Sequence, residues 1–128
     1  MFLILSHVRH AGMWIHADNP AVSYAAISAL LNVSAYSETN QVLEIRRDDL
    51  DAIVNAMRAH QNAKGVQQKA LTLLMNLTVS RDNIIVMEQN PYLVPLIRLA
   101  RSKWQTTFEE QTTGHVNHLL RVLPASNQ

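Results

Sequence analysis

The nine residues from Ala26 to Ser34, A-I-S-A-L-L-N-V-S, return as A-L-T-L-L-M-N-L-T from Ala70 to Thr78, 44 residues later. Size and polarity agree at eight of the nine positions, Ala29 against Leu73 being the looser one. Val22 falls on Val66 at the same offset. Downstream, Asn40 falls on Asn83, Leu50 on Leu93, Ile53 on Leu96 and Arg58 on Arg101, now 43 residues apart, so one residue is lost in a turn. Chance can produce one such block. It rarely produces a block with an ordered series of flanking matches. A third echo, His118 to Leu123, resembles Leu73 to Thr78 at an offset of 45, with Arg121 in the place of Asn76, and Pro124 ends it. A period in this range is the mark of a repeat array, in which each unit buries its apolar face against its neighbours.

Each unit reads as three helices. The first is short, Glu38 to Arg46 and again Arg81 to Gln89. The second runs from about Asp49 to His60 and from about Leu93 to Lys103. Ile53, Val54 and Met57 form the stripe of a helix with one buried face. Asp48 is a plausible N-cap there. Asn90-Pro91 marks the next boundary, and Pro95 belongs to a first turn. The third helix is long and apolar, from about Ala21 to Ala35 and from about Lys64 to Val79. Glycine occurs only three times and proline four, which disfavours hairpin folds and Gly-rich phosphate loops. The chain therefore reads as all-α and as one domain. Residues 1–18 form a degenerate partial repeat, 19–61 and 62–104 two repeats, 105–123 a terminal helix and 124–128 a tail.

The core A-L-x-x-L-x-N-L at Ala70 to Leu77, the polar start Asp82-Asn83 of the short helix, and V-P-L-I-R-L from Val94 to Leu99 resemble the armadillo repeat, a three-helix unit. The resemblance covers about residues 19 to 104. Where the family usually has Gly before the second helix, this chain has Arg47-Asp48 and Asn90, and Asn tolerates the left-handed conformation. Helical repeats of the HEAT type are the nearest alternative, and a simple helical bundle is the next. The resemblance implies a right-handed α-α superhelix of about two to three repeats, a solenoid that binds other proteins and has no catalytic residues.

In armadillo proteins the third helices line a concave groove. Here each third helix carries one polar stripe at i, i+4, i+8, and residues four apart share a face. The stripes are Tyr24, Ser28, Asn32; Gln68, Thr72, Asn76; and Thr113, Asn117, Arg121. Stacking would set them side by side. An Asn amide offers a donor and an acceptor, so it can hold the main chain of an extended peptide. The resemblance implies that role for Asn32 and Asn76. The competing reading is a set of solvated helix faces. Family members that bind nuclear-import signals pair each groove Asn with a Trp four residues earlier. Ser28 and Thr72 stand there instead, and Trp14 and Trp104 read as packing residues.

Other chemistry finds little support. No Cys is present, which excludes disulfides, thiolate metal sites and a Cys nucleophile. His7 with His10 and His115 with His118 are i, i+3 pairs without a third ligand at useful spacing, so they read as surface or inter-repeat histidines. There is no H-E-x-x-H, G-x-S-x-G or Walker loop, and no cofactor or metal is implied. Glu109-Glu110 and Asp48, Asp49, Asp51 read as acids at helix starts. Asn32-Val33-Ser34 and Asn76-Leu77-Thr78 fit the glycosylation sequon but sit inside repeat helices. The formal net charge is +1, from 11 Lys and Arg against 10 Asp and Glu. Such a balance does not favour nucleic acid. Arg58, Arg98, Arg101 and Lys103 form a modest basic strip suited to an acidic partner.

The apolar run Met1 to Leu5 is too short for a signal-peptide core, and no run could span a bilayer. The expected setting is intracellular, most simply cytoplasmic. The expected function is a non-catalytic interaction module, scaffold or assembly subunit whose partner is another protein or peptide. A peptide-capturing adaptor using the Asn stripe is the alternative, and a small His-dependent metalloprotein a distant third. Phe2 to Leu5 at one end and Leu119, Leu120, Val122 and Leu123 at the other would leave apolar surface open. Hence a fragment of a longer solenoid, a subunit of a larger complex or a homo-oligomer is expected.

Overall fold

A computed structural model describes residues 18–35 and 44–123, which hold six helices and no strand. They are α1 (Pro20–Ala35), α2 (Arg47–Ala59), α3 (Lys64–Leu77), α4 (Arg81–Glu88), α5 (Leu93–Trp104) and α6 (Glu110–Val122). Residues 1–17 of the expected partial repeat 1–18, residues 38–43 of the expected short helix, and the tail at residues 124–128 lie outside the described residues.

Local chemistry explains each boundary. Asn19 accepts the backbone N–H of Ala21 at 2.9 Å through Oδ1, and Pro20 follows as the first helical residue, so α1 starts with a side-chain cap and a preset φ. The expected helix end at residues 44–46 is not helical. Arg46 is extended, with φ −97° and ψ 165°, and α2 begins at Arg47. Asp48 is therefore not the N-cap; it lies inside the first turn. Asp49 does the closing instead, its Oδ2 accepting the Arg46 N–H at 3.0 Å. Arg47-Asp48, expected before the helix, are part of it. The Ser80 hydroxyl accepts the Asn83 N–H at the start of α4. Asn90 Oδ1 accepts the Tyr92 N–H at 2.9 Å, a turn that hands the chain to α5. Pro95 is the third residue of α5, where its missing N–H costs no helical bond. Glu109 and Glu110 open α6.

The packing follows from which faces are apolar. α3 is the central element. Its Val66, Ala70, Leu71, Leu73, Leu74 and Leu77 are all buried. Such a wide apolar face requires neighbours on several sides, and α3 touches α1, α2, α5 and α6. The pairing of α1 with α3 is the most extensive, and α6 also packs along α3. α2 packs on α3, α4 and α5. Leu50, Ile53, Val54 and Met57 of α2 meet Leu93 and Ile97 of α5 in the same cluster. At the far end, the apolar residues expected to lie open do not. Leu119 and Leu123 are buried, and Leu120 and Val122 pack partly against the core, because α6 turns that face toward α3 and α5. Trp104 is half-buried and stacks near Phe108, ring centroids 6.3 Å apart. Trp14 lies outside the described residues. No described helix is long and apolar enough to cross a membrane.

Candidate interaction face

Two buried amides fix the relation between successive helices. Asn83, 1% exposed, accepts the Ile45 N–H at 3.0 Å through Oδ1 and donates from Nδ2 to the Leu77 carbonyl at 3.0 Å. It ties the segment entering α2 to the end of α3 and the first turn of α4. Gln67 is buried at the start of α3. Its Nε2 donates to the Met57 and His60 carbonyls at 3.1 and 3.0 Å, so one side chain satisfies two groups at the end of α2. Asp49 is buried as well. Burial pushes its carboxyl above the usual range, against the Arg46 N–H and the Arg46 charge, which favour the ionised form.

Six polar contacts, that of Ile45 with Asn83 among them, join helices and their flanking segments at a nearly constant sequence separation. Ile45–Asn83 is 38 residues apart, Asp51–Asn90 39, Thr78–His118 40, Asn62–Lys103 41, Arg47–Gln89 42 and Thr72–His115 43. The Arg58 guanidinium also lies 4.5 Å from the Tyr92 ring centroid.

The nine stripe residues are not equivalent. Tyr24 is 41% exposed, and its ring covers Gly65 on α3, where a Cβ would come within 3.2 Å. Lys69 Nζ lies 5.9 Å from that ring. The Ser28 hydroxyl is shielded from solvent and has no hydrogen-bond partner among the described residues, so it is no solvent-facing donor. Thr72 turns its hydroxyl to the Gln68 carbonyl at 2.9 Å and faces His115 Nδ1 at 3.4 Å. Gln68, Asn76 and Thr113 are half-buried, while Asn32, Asn117 and Arg121 are exposed. The middle rung is thus occupied by contact between α3 and α6, and the free polar groups lie on α1 and α6.

The second histidine pair belongs to this seam. Thr72 and Thr78 each spend their hydroxyl proton on a carbonyl, at Gln68 and Met75. The same two hydroxyls lie 3.4 Å from His115 Nδ1 and 3.5 Å from His118 Nε2. Burial, then the charge of His118, holds His115 below its ordinary value. Of the two readings for this pair, the inter-helix one describes it; His7 and His10 lie outside the described residues. Among the described residues no group of three or more His, Asp or Glu could hold a metal ion.

Sequence reasoning did not single out Gln67 as an anchor. The chain holds ten Asn and eight Gln, and among the described residues Gln67 and Asn83 are the buried ones. No family model, curated protein or solved structure matches the chain.

Proposed function

We propose that the chain is an armadillo-like stack of helical units that serves as a non-catalytic protein-interaction module or assembly subunit. The observation that supports this best is the spacing of these long-range polar contacts, 38 to 43 residues. A stack of units about 43 residues long makes such contacts between neighbours. A bundle of unrelated helices has no reason to repeat one separation. The side-by-side contacts of α1 with α3 and of α3 with α6 support the same reading. Repeat stacks present extended surfaces, and surfaces of this kind bind other proteins.

The adaptor reading draws on the exposed amides of Asn32 and Asn117 with Arg121. It is weakened at the middle rung, where Thr72 is committed to its own helix and to His115. Capture of the tagged chain from native lysate, with light scattering over a range of concentrations, tests the module reading. A stoichiometric protein partner or a concentration-dependent oligomer is expected. A chain recovered alone and monomeric throughout would refute it. The double substitution Asn32→Ala, Asn117→Ala then separates the two readings, because both side chains are exposed and the fold should survive their loss. Loss of the partner favours the adaptor, and retention favours an assembly subunit.

A further inference from the structure

In the two units with both helices described, the second helix packs on the third: α2 on α3 and α5 on α6. α1 is the third helix of the first unit. Its main described neighbour is α3, with lighter contact to α2. Its own second helix would precede it, in residues 1–17, which lie outside the described residues. One face of α1 holds Ser23, Ala26 and Leu30, which are 1%, 7% and 4% exposed. At the repeat offset of 44 they fall on Gln67, Ala70 and Leu74. Gln67 is the side chain that holds the last carbonyls of α2. Ser23 holds none: its Oγ is shielded from solvent and has no hydrogen-bond partner among the described residues. Buried hydroxyls are normally bonded, so an unpartnered one points to a group that meets it.

The residues ahead of α1 repeat the acceptors that Gln67 uses. Gln67 donates to the Met57 and His60 carbonyls, and Met57-x-x-His60 returns as Met13-x-x-His16 at the same offset of 44. Further back, Leu5 falls on Leu50, Val8 on Ile53 and Ala11 on Ala56, at an offset of 45. Leu50, Ile53 and Ala56 are the buried stripe of α2. Gly12 is the extra residue between the two offsets, and glycine adapts its backbone most readily to an insertion. Shifting Arg47–Ala59 back by 44 gives residues 3–15. That leaves a connection of four residues, 16–19, ahead of α1, the length that 60–63 has ahead of α3.

We infer that residues 3–15 dock as the second helix of the first unit on the Ser23 face of α1, the Ser23 hydroxyl donating to the carbonyl of Met13 or His16. Leu5 and Val8 turn toward the core as Leu50 and Ile53 do on α2, and the four-residue connection holds the segment beside the face it covers. A serine has one proton where Gln67 Nε2 has two, so it satisfies one carbonyl where Gln67 satisfies two. This face of α1 is then filled from within the chain and is not open to a second copy. The docking rests on the repeat stack proposed above and adds to it the occupant of its first unit.

Amide hydrogen exchange of the full chain, read by mass spectrometry at several protein concentrations, tests the docking. A helix of this length is marginal by itself in water, so protection requires that it be packed. Amides of residues 3–15 should exchange about a hundredfold or more slowly than an unstructured chain, equally at every concentration. Ser23→Lys sets a charge on the docking face and should return those amides to the unstructured rate while α3 and α6 stay protected. Asn32→Lys, on the exposed side of α1, should leave them protected. Should Ser23→Lys unfold the whole chain, Met13→Lys makes the same test from the segment's side. Exchange of residues 3–15 at the unstructured rate in the unaltered chain would overturn the docking. So would protection that survives the lysine substitutions, or protection that appears only at high concentration, the sign of seating on a second copy. Any of these results would leave the spacing of the described contacts, and with it the module reading, in place.

Discussion

Replacing Asn83 by alanine removes one buried amide that serves two backbone groups. Oδ1 holds the Ile45 N–H and Nδ2 holds the Leu77 carbonyl, each at 3.0 Å, in a site 1% exposed. The methyl group left behind can satisfy neither. A buried donor or acceptor that loses its partner costs about 1–3 kcal/mol. Two such groups, with some relief from water entering the vacated space, give a loss of about 2–5 kcal/mol. That is a large part of the roughly 5–15 kcal/mol that keeps a domain folded. Urea denaturation followed by circular dichroism reads the loss as a fall in midpoint at unchanged slope. Asn55→Ala on α2, an exposed position, is the control and should change stability by less than about 0.5 kcal/mol. Asn83→Asp should be worse than alanine, because a carboxylate would face the Leu77 carbonyl. A loss for Asn83→Ala below about 1 kcal/mol would refute the role given to this amide.

Gln67→Ala strips the donor from the Met57 and His60 carbonyls and should cost about 1–3 kcal/mol; Gln67→Glu should cost more at neutral pH and partly recover on acidification, read by thermal melts. His115 favours its neutral form in the fold, its affinity for protons lying below the ordinary value of 6.5 through burial and then the charge of His118. The unfolded chain therefore binds more protons just below that value, and stability should fall as pH drops through and under 6.5. Melting temperatures from neutral to mildly acidic pH should decline in the wild type and decline less in His115→Gln; identical slopes would remove His115 as the cause.

The helices were legible because their signals are local. Apolar periodicity places α3 and α5 within two residues, whereas α6 begins at Glu110, five residues after the expected start at 105. Asn90-Pro91 and Glu109-Glu110 mark real boundaries. The start of α2 misleads for a physical reason. Asp48 is a good capping residue by type, yet Asp49 sits three residues after the extended Arg46 and can reach back to its N–H. Two adjacent acids look alike in sequence, and the backbone's turn decides between them. The polar stripe was legible as a stripe, but its exposure was not. Whether Thr72 faces water or α6 depends on where His115 lands, 43 residues away. The burial of Leu119 and Leu123 depends likewise on α6 folding back onto α3 and α5. Gln67 and Asn83 are ordinary surface residue types, and their bonds to Met57 and His60, and to Ile45 and Leu77, reveal them as anchors.

The near-constant separation of the long-range polar contacts bears on how the chain acquires its order. Closing a loop costs entropy that grows only with the logarithm of its length. Between 38 and 43 residues that cost changes by about 0.1 kcal/mol. No one of these contacts is favoured over the others by chain connectivity. Helix propensity and apolar burial are then left to decide which forms first. α3, with the most complete burial, is the element on which the earliest closure should settle, whichever neighbour reaches it.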